Sequence, residues 1–417
     1  MKNLILISLL ISLPLEAEER LQISGFGTIG TVSVDSDYYG YRTDLAREDG
    51  TFDDDLNLST SSILGIQFDY LVNSDLNIVY QAVHRNQNDV TLDSLTTLAF
   101  LKYSPSAAWT YRLGRTALDL FLLTEYRDVG FASTWAHAPT ETYGLVPYRF
   151  LDGGDISYTA RYNKLALRSK FFLGQSASDV AGYKSHGNVK LDNIYGIGFE
   201  VESISWSMKS KYTSAKIYDN IATSSNLSNG LLSLNQFVPG FDLIWPNAQQ
   251  FSESLLLDNA RAQYLSFSGR YDFEQWSFLA EASIIRSDNK IISDVDSGYV
   301  SANYRINAHN FYTVYATARS QFFDINSLNV DLNSLAMIPG GLEIYDGSHT
   351  LMNAFTPNQN TLSFGWRWNM TDSTAFNIQL DRTAIKAHGS SLWLNKDQLN
   401  QPAETVNAIF VNLNFTF

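Results

Sequence analysis

Apolar and polar residues alternate with a period of two along most of this chain, and this pattern limits the possible folds most strongly. In the segment 363–369, SFGWRWN, the aromatic side chains of Phe364, Trp366 and Trp368 all fall on one phase. Such segments run for about ten residues, which is the length that a tilted β-strand needs to cross the hydrocarbon core of a bilayer. A soluble β-sandwich also alternates. Here, however, very short connections follow long ones in turn, as in membrane-spanning β-barrels.

Sixteen segments fit this pattern, so we predict an all-β fold: a transmembrane, antiparallel, up-and-down β-barrel of about 16 strands. The predicted strands are 21–34, 58–71, 75–87, 93–103, 108–116, 154–163, 165–174, 193–203, 204–214, 260–272, 275–286, 297–306, 309–319, 360–369, 374–386 and 405–417. An unpaired backbone group in lipid costs several kcal/mol, so the last strand should pair with the first. A barrel of this size encloses an aqueous lumen, and an even strand count places both ends on the periplasmic side.

The first residues, MKNLILISLLISLPLEAEER, predict an export signal. Lys2 gives a positive start, Leu4 to Leu13 form an apolar stretch too short to span a bilayer, and Ala17 is a small residue before the expected cleavage point. We therefore expect a cleaved signal peptide at 1–17 and a barrel at 18–417. The rest of the chain has no apolar run of about eighteen residues, so we expect no transmembrane helix.

Composition excludes several classes of protein. The chain has no cysteine, which excludes a disulfide framework and a thiolate metal site. Its formal charge of −14 argues against a nucleic-acid partner, because such a partner requires clustered positive charge. The six histidines stand in no recognisable catalytic signature, so we expect neither an enzyme nor a cofactor.

Three parts of the sequence resemble a known family. They are the terminal Phe417, the opening ISGFGTIG at 23–30, and the stretch YRLGRTALDLFLLTEYRDVGFASTWAHAPTETYGLVPYRFLDGGDISY at 111–158. Together they resemble the trimeric porins of Gram-negative outer membranes, especially a proteobacterial porin-like group. The resemblance implies a homotrimer among outer-membrane lipid and lipopolysaccharide, and an inward-folded constriction loop after strand five, at 117–153. It also implies that a last strand carrying Phe415 and Phe417 is recognised by the barrel-assembly machinery.

Porin selectivity depends on charged side chains in the lumen, and their direction follows from the alternation. The basic residues predicted to line the pore are Arg112, Arg161, Arg168, Lys170, Lys209, Lys211, Arg305, Arg319 and Arg367. The predicted acids on the same phase are Asp69, Glu200, Glu202, Glu281 and Asp381. The charged residues predicted for the constriction are Asp119, Glu125, Arg127, Asp128, His137, Glu141, Arg149, Asp152 and Asp155. A basic wall facing an acidic loop would create a field across the pore.

The predicted function is passive diffusion of small hydrophilic solutes and ions through the outer membrane. Two alternatives remain open: a channel for more hydrophobic molecules, or a non-conducting structural or adhesive barrel. The first alternative is motivated by Leu98, Phe100 and Phe172 on the lumen phase, together with apolar residues in the loop. The acidic first outer loop, 35–55, could attract divalent cations, but its spacing does not match an EF-hand, so we predict no metal site.

Overall fold

The computed structural model describes residues 20–53, 57–219, 222–257, 259–397 and 401–417. The predicted signal peptide at 1–17, and Asp54 and Asp55 of the first outer loop, lie outside these ranges. Sixteen antiparallel strands form a closed barrel in which neighbours along the chain are neighbours in the sheet. The predicted fold class is therefore confirmed.

The barrel strands are β1 (Leu21–Val34), β3 (Ile63–Asn73), β4 (Leu76–Arg85), β5 (Thr96–Tyr103), β6 (Trp109–Ala117), β7 (Phe150–Tyr162), β8 (Leu165–Gly182), β9 (Ser185–Glu202), β10 (Trp206–Asp219), β11 (Ala260–Phe273), β12 (Trp276–Ser287), β13 (Val295–Ile306), β14 (His309–Ser320), β15 (Pro357–Asn369), β16 (Thr374–Ser390) and β18 (Glu404–Thr416). A separate two-stranded sheet pairs β2 (Tyr39–Tyr41) with β17 (Trp393–Asn395). The largest departure from the predicted bounds is the hairpin of β8 and β9, each 18 residues long. Its outer part is held by backbone pairing and carries no strict alternation, so the sequence pattern does not reveal it.

The two faces of the wall differ in polarity, as a bilayer requires. Large apolar side chains such as Leu113, Leu173 and Phe364 are exposed on the outward face. Small polar residues such as Ser266 and Ser283 are buried on the inward face. None of the helices in the described parts of the chain has the length and apolar character needed to cross a membrane.

The barrel closes where β18 pairs with β1, from Phe26 opposite Thr416 to Val34 opposite Ala408. The ring of Phe417 lies over Gly25 and that of Phe415 over Gly27, where a Cβ atom would clash with the ring. The Gly25 amide donates to the Phe417 carbonyl at 2.8 Å, and the Phe417 amide donates back at 3.0 Å. The terminal aromatic residue therefore completes the seam.

Two long connections on the side opposite the short turns fold into a helical cap. It contains α3 (Ala222–Phe237), α4 (Phe241–Ile244) and α5 (Ala248–Ser254), and then α6 (Leu332–Leu335) and α7 (Gly341–Met352). Two smaller helices lie elsewhere, α1 (Leu92–Leu95) and α2 (Thr140–Tyr143). The cap helices share an apolar core that includes fully buried Leu231, Trp245 and Leu335.

The cap contains an internal repeat that the period-two pattern does not show. Phe-Val-Pro-Gly at 237–240 and Met-Ile-Pro-Gly at 337–340 stand 100 residues apart. Gly240 has a φ of 74° and Gly340 a φ of 78°, in the left-handed region that favours glycine, and each precedes a helix. The equivalent residues Trp245 and Tyr345 meet edge to face, with ring centroids 5.7 Å apart. Two related helical corners therefore pack against each other above the barrel.

Candidate functional site

The connection between β6 and β7, residues 118–149, enters the barrel and crosses its lumen. The indole nitrogen of Trp135 donates to Ser301 of β13 at 3.0 Å. Asn377 of β16 donates to the carbonyl of Thr134 at 2.9 Å. Arg367 of β15 donates to the carbonyl of Phe131 at 2.8 Å and to that of Ser133. We call residues 118–149 the internal loop.

The bounds of this loop differ from the predicted 117–153, because Ala117 ends β6 and Phe150 begins β7. Asp152 and Asp155 are therefore strand residues, and their assignment to the loop is wrong. Cross-strand charge pairing explains the extension, since Arg112 stands opposite Asp155 and Arg115 opposite Asp152.

Eight of the predicted pore-lining basic residues lie on the inward phase of their strands: Arg112, Arg161, Arg168, Lys170, Lys209, Lys211, Arg305 and Arg367. The ninth does not. Arg319 is exposed on the outward phase of β14, while Val314, Ala316 and Ala318 of that strand are buried inward. The expected inward direction of Arg319 is therefore wrong, because apolar side chains occupy both faces of β14 and hide its phase.

Two of the inward lysines hold the first part of the internal loop. Asp119 accepts hydrogen bonds from Lys170 at 2.9 Å and from Lys211 at 2.5 Å. Lys211 also donates to the carbonyl of Phe121. Burial opposes ionisation of Asp119, but the charges of Lys211 and Lys170 overcome it and hold the pKa of Asp119 well below its usual range. These lysines therefore anchor the loop, and Asp119 neutralises one of their two charges.

The acids of the internal loop and the opposite wall also form buried pairs. Glu281 of β12 accepts from the Leu122 amide at 3.1 Å and from the Tyr143 hydroxyl at 3.0 Å. Glu141 accepts from Gln359 at 2.6 Å, and burial raises the pKa of Glu141. His137 lies 2.8 Å from Asp381 of β16.

The loop aromatics and the inward aromatic residues of the wall pack together. Phe121 lies against Tyr143 and Tyr264, with ring centroids 4.8 and 5.9 Å apart. Phe410, which breaks the polar phase of the last strand, packs on Tyr41 and His137, with centroids 4.9 and 4.1 Å apart. These contacts hold the loop against the wall.

A cluster of four arginines stands beside the loop. Arg149 binds Asp44 at 2.6 Å and also pairs with Asp128. Arg47 lies 3.6 Å from Asp44, and Arg85 lies 3.4 Å from Asp128. Arg127 donates to the Val146 carbonyl at 3.1 Å. We call these four arginines, together with Asp44 and Asp128, the arginine cluster. Four guanidinium groups against two carboxylates leave the cluster with a formal charge of +2.

Sequence reasoning named only part of this cluster. Arg127, Asp128 and Arg149 are among the predicted constriction residues, whereas Arg85 is not. The signal for Arg85 is its inward phase on β4, shared with buried Val79 and Val83. Asp44 belongs to the acidic first outer loop, and its ion pairs show that this acid balances arginine charge inside the barrel.

A second charged group lies nearer the short turns. The Nε atom of Arg112 donates to the two carboxylate oxygens of Asp155 at 3.0 and 2.9 Å, and its Nη1 atom lies 3.7 Å from Glu125. Lys209 pairs with Glu200 at 3.0 Å. Arg161 and Arg305 are exposed at the ends of their strands that adjoin short turns.

Two cavities lined by charged side chains meet at the arginine cluster. The outer one, of about 130 Å³, reaches Thr60 and Arg85 near the outer ends of β3 and β4. The lower one, of about 490 Å³, reaches Lys102, Arg112 and Arg168 toward the ends of their strands that adjoin short turns. Both are lined by Tyr126, Arg127, Asp128, Val129 and Arg149. On a route along the wall from β3 to β7, this shared boundary would be the narrow point.

Neither a protein-family model nor a curated protein matches the sequence. Solved structures do resemble the fold. An anion-selective porin from Comamonas acidovorans is 11% identical, with a TM-score of 0.53 over 95% of this chain and 99% of the other. The outer membrane channel DcaP of Acinetobacter baumannii is 10% identical, with a TM-score of 0.51 over 96% and 99%. The trimer form of OmpT, an outer membrane protein of Vibrio cholerae, is 8% identical, with a TM-score of 0.50 over 96% and 100%. At these identities the likeness concerns the fold, and the chain has a porin-like sixteen-stranded barrel.

Proposed function

We propose that this protein is an outer-membrane porin through which small hydrophilic solutes and ions diffuse passively. The observation that carries the proposal is the pair of cavities lined by charged side chains that share the wall formed by residues 126–129 and Arg149. The internal loop is then the constriction, and a solute crosses between it and strands β3 to β7. We expect no enzymatic activity and no cofactor.

The charge at the narrow point favours anions. The arginine cluster carries a formal +2, and its side chains are largely shielded from solvent. Low-dielectric walls concentrate the field of such charges, so the cluster should select by sign more strongly than charges in the wide vestibules. This selection would act although the whole chain has a net charge of −14.

Planar-bilayer recordings of the purified full-length protein test this function directly. We expect stepwise conductance and reversal potentials in a KCl gradient that report a preference for chloride. Absence of any conductance by correctly folded protein would contradict the porin proposal and favour the structural or adhesive barrel.

We further propose that the chain is exported with its signal peptide cleaved after residue 17, and that it resides among outer-membrane lipid and lipopolysaccharide. The apolar outward belt and the likeness to outer-membrane proteins support this location. The barrel-assembly machinery is the partner that would recognise the terminal strand carrying Phe415 and Phe417.

Deleting Phe417 should lower the yield of folded barrel several-fold. The deletion removes the ring that covers Gly25 and both backbone hydrogen bonds to that glycine at the closing seam. The yield is measured as heat-modifiable protein in outer-membrane fractions. Deleting the exposed residue Ile204 from a periplasmic turn provides a control at another short connection. Wild-type yield from the Phe417 deletion would show that the terminal residue has no part in assembly.

We propose a homotrimer because the barrel wall is lower on one side, where the strands are short. Strands β5 and β6 have 8 and 9 residues, at or below the ~9–11 that a lipid-exposed strand needs. On the outward face there, Arg115 pairs with Asp152 at 2.7 Å and with Asp93 at 2.9 Å. Such charges are costly against lipid, so this side should face other copies of the chain.

The substitution Leu92→Asp tests the trimer. Leu92 is 81% exposed beside the low wall, and a buried unpaired carboxylate would oppose association. We expect the variant to shift from trimer to monomer in light scattering after size-exclusion chromatography, with the barrel still folded. Ile204→Asp, at an 89% exposed position in a periplasmic turn, should remain trimeric. An unchanged mass for Leu92→Asp would place the interface elsewhere.

A further inference from the structure

A third cavity, which is apolar and has a volume of about 150 Å³, lies inside the barrel, between the internal loop and the wall of β8 to β13. Its lining from the wall includes Val180, Leu191, Ile194, Ala215 and Ile217. The internal loop and the outer connections also contribute to its lining. It is separate from the narrow point of the polar route, because none of the residues 126–129 lines it.

The polarity of the lumen changes along these strands. On β10, the inward positions run from Lys211, which holds Asp119, to Thr213, Ala215 and Ile217 toward the outer end. The apolar part of the lumen therefore begins just beyond Lys211, whose ion pair with Asp119 anchors the loop. Leu118 and Tyr148 line both the apolar cavity and the lower polar cavity, so they form the partition between them.

Two hydroxyl groups of this lining, those of Thr213 and Tyr264, are buried without a hydrogen-bond partner among the described residues, and that of Tyr264 lies beside Ser266 and Ser283. Thr213 is 6% exposed, and its hydroxyl has no hydrogen-bond partner among the described residues. A buried hydroxyl without a partner is costly, and a ligand with a single polar group would satisfy it.

We propose that this cavity binds a small uncharged molecule with an apolar body of about one aromatic ring and one hydrogen-bonding group directed at Thr213. The size supports this class, because an apolar cavity of about 150 Å³ in another protein stays dry and takes benzene. The site is independent of conduction, since it lies beside the polar route and contributes no residue to its narrowest part.

Saturation-transfer NMR on the full-length protein in lipid nanodiscs tests the proposal, with p-cresol and toluene as probes. We expect saturable p-cresol binding by the wild-type protein. Ala215→Phe fills the cavity and should abolish that binding. Ala282→Phe places the same ring on the outward face of β12 and should leave it unchanged, which corrects for partition of the probe into lipid. Retained binding by Ala215→Phe, or no saturable binding by the wild-type protein, would overturn the site.

Thr213→Val tests the polar contact separately. Loss of one hydrogen bond should weaken p-cresol binding by about 2- to 10-fold and leave toluene binding unchanged. Equal effects on both probes would overturn the assignment of the polar group to Thr213. Conductance of Ala215→Phe, recorded in parallel, separates the two proposals. Lost binding with normal conductance supports both, and lost conductance by the folded variant would show that the cavity belongs to the pore.

Discussion

Replacing Arg85 and Arg127 together by glutamine is expected to lower the preference for chloride over potassium by roughly 10-fold or more. The change removes Arg85, which pairs with Asp128 alone, and Arg127, which donates to the Val146 carbonyl, and it takes the formal charge of the cluster from +2 to 0. A unit charge about 8 Å from an ion contributes ~0.5 kcal/mol even at the dielectric constant of water, with opposite sign for the two ions. Glutamine keeps a hydrogen-bond donor for the Val146 carbonyl, so the loop should stay in place. Reversal potentials in a KCl gradient at low salt measure the ratio.

The matched control removes the same charge from the periplasmic rim. Arg161 and Arg305 are inward-facing and exposed, so water and salt screen them. Replacing both by glutamine should change the permeability ratio less than about 2-fold. An equal change in the two double variants would show that the charge of the whole lumen sets selectivity and that the arginine cluster has no special part. Cation selectivity of the wild-type protein would contradict the anion preference itself.

The barrel could be predicted from the sequence because its physics is local. A strand that faces lipid on one side and water on the other must alternate apolar and polar residues. The outward direction of Phe364, Trp366 and Trp368 can therefore be predicted without knowing which strands they pair with. This alternation rule fails on β14, because Val314, Ala316 and Ala318 make the inward face of that strand apolar as well. The wrong prediction of an inward direction for Arg319 follows from that ambiguity. The rule works where one face is polar and fails where both faces are apolar.

The roles of the charged residues could not be predicted in the same way, because they depend on distant partners. From its inward position in the alternation, Lys211 is predicted to be a free charge in the pore. In the structure it binds Asp119, 92 positions earlier. Asp44 is expected from the sequence to be a solvated acid in an outer loop. In the structure it binds Arg149, 105 positions later. Only the fold of the internal loop brings these groups together. The helical cap is a different case, since comparing the chain with itself would have revealed the Pro-Gly repeat at 239–240 and 339–340.

Replacing Lys211 by glutamate is expected to release the first part of the internal loop and to raise the single-channel conductance about 2-fold. The new carboxylate would face Asp119 where the lysine now donates at 2.5 Å. Breaking a buried ion pair by removing one partner costs about 3–5 kcal/mol, and the added like charge increases that cost. A displaced loop also exposes Arg127, so trypsin should cut there in the folded barrel.

Lys209→Glu makes the same substitution two residues away on the same inward face. Lys209 pairs with Glu200 of the neighbouring strand at 3.0 Å and makes no ion pair with the described residues of the internal loop. Its conductance should stay near the wild-type value, and Arg127 should remain protected. If Lys211→Glu is equally protected and conducts like the wild-type protein, the lysines do not position the loop. If it is cleaved at Arg127 but its conductance is unchanged, the loop moves without controlling the pore, and the narrow point must be formed by the wall alone. The pair of substitutions therefore separates the anchoring of the loop from its role as the constriction.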